Sequence, residues 1–197
     1  LIVALQTDRA GLAAQAARVG QAGLLARERA FAPVAAPDAR LLILGSFPGR
    51  ASLSVGHYYA HPRNQFWPII ESIIGESLLR LAFEERYRIL TRRGIALWDV
   101  IVECERRGSL DSEIRSARQA DLLQWVESFP QLRAVFFNGA LAARRGAVLA
   151  SDGRLALWRL PSTSPAHASL SFEQKRLAWS RAFDLAGFTC SLGGEGG

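Results

Sequence analysis

"RLLILGSFPGRASL", residues 40 to 53, begins with an unbroken apolar run and ends in a turn that holds Gly45, Pro48 and Gly49. A short apolar run closed by turn residues reads as a strand buried on both faces, because a strand with one wet face would alternate. The same pattern returns in "GIALWDV" at 94 to 100, "RAVFFNG" at 133 to 139 and "LALWRLP" at 155 to 161. Helical patterning fills the intervals at 65 to 92, 116 to 129 and 139 to 150, and it returns at 171 to 186, where Ser169 or Ser171 is placed to cap the last helix. Alternating strand and helix predict an α/β fold, a three-layer α/β/α sandwich around a small, mainly parallel four-stranded sheet. Ligands of such sheets bind beyond the carboxyl ends of the strands. There the chain carries "GSFPG", "WDV", "FNG" and "LPSTSPAHA".

The remaining composition bounds the class. With 197 residues and 49% hydrophobic content, the chain is expected to form one domain over 31 to 188. An alanine-rich arm at 1 to 30, helical from 7 or partly disordered, precedes it, and a flexible tail at 189 to 197 follows. The net charge of +6 is carried almost wholly by arginine, since Lys175 is the only lysine, and it favours an anionic partner. Cys104 and Cys190 form no C-x-x-C pair, so neither a metal site nor a disulfide framework is expected. No apolar run reaches the roughly 18 residues of a membrane span, and a secretory signal is not legible, which points to a cytoplasmic protein, nucleoid-associated if bacterial.

Several common chemistries are excluded. "GSFPG" lacks the G-K-[ST] ending of a phosphate-binding loop and the spacing of a dinucleotide fingerprint. Ser46 is no nucleophile elbow, because Leu44 and Pro48 stand where glycines would be needed. That also weakens a serine hydrolase built from Ser162 or Ser164 with His167 and Asp99. The stretch "YYAHPRNQFWPI", residues 58 to 69, sets His61, Arg63 and Asn64 among four aromatic rings, a mixture costly to bury without a purpose. Asn138 closes its strand where a turn former suffices, yet its amide also suits the donor and acceptor edge of a nucleobase. Asp99 reads as a structural carboxylate that caps or orients the neighbouring loop, and "CERRGSLDSEIR" at 104 to 115 as part of the crevice rim.

In order and spacing, "LILGSFPGxxSL", "GxYYAHPRNxFW", "VFFNG" and "LPSTSPAHA" resemble the uracil-DNA glycosylase superfamily, and within it the hypoxanthine-DNA (deoxyinosine) glycosylase family, over residues 31 to 186. The resemblance implies a single-domain enzyme without metal or cofactor, and a monomeric, monofunctional one is expected. It flips a deaminated base out of double-stranded DNA and hydrolyses its N-glycosidic bond. Uracil enzymes of the superfamily carry an aspartate in the first motif to assist the water. Phe47 stands there, and the resemblance moves the catalytic role to Asn64, whose amide oxygen would orient the water.

Asn138 would read the flipped base, and His167 would either stabilise the leaving base or hold phosphate. Gly45, Ser46, Phe47, Pro48, Tyr59 and Phe66 would form the base pocket. Arg50, Arg63, Ser162, Thr163 and Ser164 would meet the DNA backbone, with the 162 to 167 loop wedging into the minor groove. Lys175, placed on a surface helix, would not serve as the amine of a strand-cutting enzyme. Uracil or a mismatched thymine remains an alternative substrate, and a damaged-DNA-binding module without catalysis an alternative function.

Overall fold

The computed structural model describes residues 27–106 and 108–188. In chain order the strands are β1 (Arg27–Arg29), β2 (Leu41–Gly45), β3 (Ile95–Asp99), β4 (Ile101–Glu105), β5 (Arg115–Gln119), β6 (Ala134–Asn138) and β7 (Ala156–Leu160). The helices are α1 (Arg50–Val55), α2 (Phe66–Ile74), α3 (Phe83–Arg92), α4 (Leu122–Glu127), α5 (Ala140–Arg145) and α6 (Phe172–Leu185). The expected runs at 40 to 45, 94 to 100, 133 to 139 and 155 to 161 contain β2, β3, β6 and β7, which pair in parallel in the order β3-β2-β6-β7.

Successive residues of these strands face opposite layers. Leu41 and Ile43 of β2 pack with Phe66, Ile70, Trp179 and Phe183 from α2 and α6. Leu42 and Leu44 pack with Leu122, Val126 and Ala142 from α4 and α5. The result is the three-layer sandwich. Each large apolar side chain sealed in this way contributes roughly 1.5–3 kcal/mol. Because β2 leads to β3 on one side and lies against β6 on the other, the order reverses beside β2, and a crevice opens past Gly45 and Asn138.

Several local expectations are corrected. The helix over 65 to 92 is two helices, α2 and α3, since Gly75 adopts φ 70° and ends α2 in the left-handed conformation. The helix over 116 to 129 shrinks to α4, because residues Arg115–Gln119 form β5. The helix over 139 to 150 becomes α5 followed by a 3₁₀ turn, Gly146–Ser151. The last helix begins as expected, with Ser171 and Gln174 capping each other.

A second, antiparallel sheet, β1-β4-β5, was not anticipated. Its β1 occupies part of the stretch expected to be helical in the arm; residues 1–26 of that arm and the tail from 189, including Cys190, lie outside the described residues. Glu103 on β4 bridges Arg27 and Arg118, both largely exposed, so these pairs add little to stability. The turn into β4 is tied to the first motif, with Val100 N donating to Gly45 O at 3.0 Å and Ile101 N to Ser46 O at 3.1 Å.

Candidate active site

A cleft of about 450 Å³ lies at the carboxyl ends of the parallel strands. Its floor comes from Gly45, Asp99 and Asn138, which end three adjacent strands. Ser46, Phe47 and Pro48 form one wall, Tyr59 and Asn64 another, and the 162 to 167 loop closes the side beyond β6. The rim segment from Ser109 to Ser112 completes the opening, fixed by Ser46 Oγ donating to Asp111 Oδ1 at 2.7 Å.

Asn138 is held from both ends by Thr163. Its Nδ2 donates to Thr163 Oγ1 at 2.9 Å, and Thr163 N donates to its Oδ1 at 2.9 Å. The amide is thereby oriented, with its Nδ2 also within reach of the Tyr59 hydroxyl and its Oδ1 keeping a second lone pair. Thr163 O accepts from Gln65 N at 3.0 Å, which joins the 162 to 167 loop to the start of α2. Thr163, expected against phosphate, is fully buried and spends its hydroxyl on Asn138. Gly139 must be glycine, since its φ is 102° and any Cβ would press on Ser162.

Asn64 lines the cleft, and its Oδ1 accepts from Phe66 N at 2.9 Å in an Asx turn just ahead of the N-cap Gln65, which satisfies the first N–H of α2. Tyr59 turns into the cleft with φ 55°, a left-handed conformation rarely adopted by an aromatic residue. Its ring lies on Phe66, with centroids 3.9 Å apart and planes 23° from parallel. Phe66, expected to line the pocket, is fully buried behind Tyr59 and outside the cleft wall. It backs the ring that does line the cleft.

Phe47 is buried except for the edge it gives to the cleft, and the Arg106 guanidinium stands 4.9 Å from its ring centroid. Arg106 also donates to Pro48 O at 2.7 Å and pairs with Glu28 at 3.0 Å. A buried arginine outside the cleft therefore holds the turn of the first motif in place. Asp99 departs most from expectation. It is buried at the cleft floor, and its Oδ2 has no hydrogen-bond partner among the described residues. Burial, reinforced by the nearby negative charge of Asp111, pushes its carboxyl up to about 8.

Lys175 is corrected as well. It faces the core from α6 and donates Nζ to His167 O at 2.7 Å, anchoring the loop from below. Burial lowers its affinity for a proton. Its side chain shares the inward stripe of α6 with Trp179, Ala182 and Phe183. Helical spacing from those aromatics was the available signal in the sequence.

The matched family model, the uracil DNA glycosylase superfamily, covers residues 32–183. The chain is 32% identical over 157 residues to a hypoxanthine DNA glycosylase of Methanosarcina barkeri, covering 80% of this chain and 98% of that protein. A hypoxanthine DNA glycosylase of Methanosarcina acetivorans is 34% identical over 156 residues, covering 79% and 98%. The chain belongs to the hypoxanthine DNA glycosylase family of the uracil DNA glycosylase superfamily. A solution NMR structure from Methanosarcina acetivorans, described as a candidate uracil DNA glycosylase, superposes with a TM-score of 0.73 at 33% identity, over 82% of this chain and 99% of that one.

The protein is thus a DNA glycosylase acting on a deaminated base. No group of acidic, histidine or cysteine side chains among the described residues is arranged to hold a metal ion. His167 lines the glycosylase cleft with Nε2 3.4 Å from Ser169 Oγ. Ser162 and Ser164 line it too, their hydroxyls accepting from the N–H groups of Ser164 and Ala166 at 3.2 Å each. These turns stiffen the loop. Arg50 stands at the cleft mouth, its N–H donating to Ser109 Oγ at 3.1 Å, whereas Arg63 is exposed on the adjoining surface outside the cleft.

Proposed function

We propose that this glycosylase is monofunctional and excises hypoxanthine from deoxyinosine in double-stranded DNA. The observation that carries the reading is the cleft wall. Phe47 stands where uracil enzymes of the superfamily have a water-assisting aspartate, and the amide of Asn64 lines the same cleft. The names of the two Methanosarcina relatives support the same substrate.

Cleaving the glycosidic bond builds positive charge on the sugar and negative charge on the base, so both ends need help. Asn64 cannot take a proton strongly, but its capped amide is rigid. The oxygen keeps a second lone pair beyond the one given to Phe66 N–H, and this directs a water toward the sugar carbon. Phe47 and Tyr59 offer ring surfaces to the extruded base, and Asn138 meets its edge. Arg50 and Arg63 supply charge to flanking phosphates, and His167, on the cleft wall, serves either the leaving base or a phosphate. Lys175 is committed to a backbone carbonyl and does not line the cleft, which favours base release without strand cutting.

The test is chromatographic and mass-spectrometric identification of the base released from a duplex containing one deoxyinosine, with the strand examined before and after alkali. Free hypoxanthine with an alkali-dependent break is expected. Release of no base from deoxyinosine overturns the substrate, and a break without alkali overturns the monofunctional mechanism.

A further inference from the structure

One polar group on the cleft floor stands without a partner. Asp99 Oδ2 is buried with no hydrogen-bond partner among the described residues, and the buried Tyr59 hydroxyl beside it has the Asn138 amide within reach but not in good hydrogen-bond geometry. Both residues flank the place where Gly45 lacks a Cβ, since an added methyl would collide with Asp99 Oδ1 and lie 3.1 Å from the Tyr59 hydroxyl. Buried polar groups in native proteins are nearly always satisfied, and leaving a carboxyl oxygen unpaired is costly. At the floor of a base-binding cleft, such a group is explained by a ligand that completes it.

We propose that the Asp99 carboxylic acid is a catalytic residue of this glycosylase, donating its O–H to the exocyclic oxygen of the extruded base. The inference rests on the glycosylase activity and holds for any base with a lactam edge. Deamination creates that edge by replacing an amine with a carbonyl beside a ring N–H, in hypoxanthine and in uracil alike. An ionised carboxylate would repel the carbonyl oxygen, whereas a protonated one offers it a donor and keeps an acceptor for the ring N–H.

The proton balance is simple. Water adds its oxygen to C1′ while the bond from C1′ to nitrogen breaks, and the electron pair of that bond leaves with the base. The charge spreads to the exocyclic oxygen, which the Asp99 O–H stabilises by a hydrogen bond while keeping its proton. The proton lost by the attacking water passes to solvent, and the departing base anion takes one up from solvent. A donor placed where charge develops acts more strongly in a buried site than in water.

The surroundings keep the proton on Asp99. Burial and the negative charge of Asp111 both oppose ionisation, and Arg106 favours it to a smaller extent. Burial holds the hydroxyls of Tyr58 and Tyr59 neutral, well above the ordinary tyrosine range. His61, Arg144 and His167 stand on other walls of the cleft.

The experiment compares wild type, Asp99→Asn and Asp99→Leu in single-turnover release of whichever deaminated base the wild type excises, deoxyinosine and deoxyuracil both being offered, from pH 6 to 9. Binding to a duplex with a tetrahydrofuran abasic site reports folding. Wild-type release should fall as pH rises through about 8, where the group loses its proton. Asp99→Asn keeps a donor and an acceptor, so it should stay within about tenfold of wild type and lose that fall; Asp99→Leu should lose about 100-fold or more while still binding abasic DNA. A wild-type rate that climbs with pH, an Asn variant as inactive as the Leu variant, or a fully active Leu variant overturns the proposal. Excision of uracil alone would refute the hypoxanthine reading and leave this one standing.

Discussion

Asn138 and Thr163 exchange two hydrogen bonds across the cleft floor, 25 residues apart in sequence and both at 2.9 Å. The pair fixes which way the Asn138 amide faces before any base arrives. Thr163→Val removes the acceptor for Nδ2 and leaves the backbone bond. A buried donor left unpaired costs about 1–3 kcal/mol, so thermal melting should register the loss. Single-turnover excision should drop about tenfold or more, because the amide gains freedom to turn. An unchanged rate would show that the orientation of Asn138 does not matter.

Asn64→Ala removes the Asx-turn bond to the first N–H of α2 and the proposed water-orienting group together. Loss of that bond should cost about 0.5–1.5 kcal/mol, seen in denaturant titration. Excision should fall by at least about 100-fold with abasic-DNA binding retained. Equal activity would sink the assignment.

Gly45→Ala places a methyl against the Asp99 carboxylate and the Tyr59 hydroxyl. Overpacking of this kind costs about 1–3 kcal/mol. Combining it with Asp99→Ala opens the space, so the double variant should be destabilised by less than the sum of the single changes. Strict additivity in melting experiments would contradict the contact.

The Asp99 carboxyl makes stability depend on pH. Its folded value of about 8 lies above the ordinary carboxylate value of 3.8, so between them the folded state holds a proton the unfolded chain has released. This contribution is complete below about 4 and is lost as pH rises toward 8, by at most about 1.4 kcal/mol per unit. Asp99→Asn removes the penalty. Its stability relative to wild type should therefore rise between pH 4 and 8 and level off above, as read by denaturant titration. A constant difference would show that Asp99 is ionised throughout.

β2, β3 and β6 were legible because burial on both faces leaves an unbroken apolar run, as in "LLILG" and "AVFFN", whereas β7, expected to be buried too, is an edge strand with Ala156 and Arg159 exposed. The second sheet was not. Its β5, "RSARQ", is an exposed strand without an apolar stripe, held by pairing to β4 and not by its own pattern. Among site residues, Asn64 and Asn138 stood out because polar residues beside rings or closing buried strands need a reason. Asp99 did not, since a strand-end carboxylate has the same letter whether it is paired or orphaned. Thr163 and Phe66 were assigned by their neighbours in sequence, while burial is decided by how the loop and α2 fold back on Asn138 and Tyr59.

The central claim is the substrate, and the most direct measurement is the ratio of single-turnover excision rates for deoxyinosine and deoxyuracil in the same duplex context, opposite each normal base. Faster release of hypoxanthine is expected, consistent with Phe47 in the first motif and Asn64 as the water-orienting amide. Faster release of uracil would contradict the account.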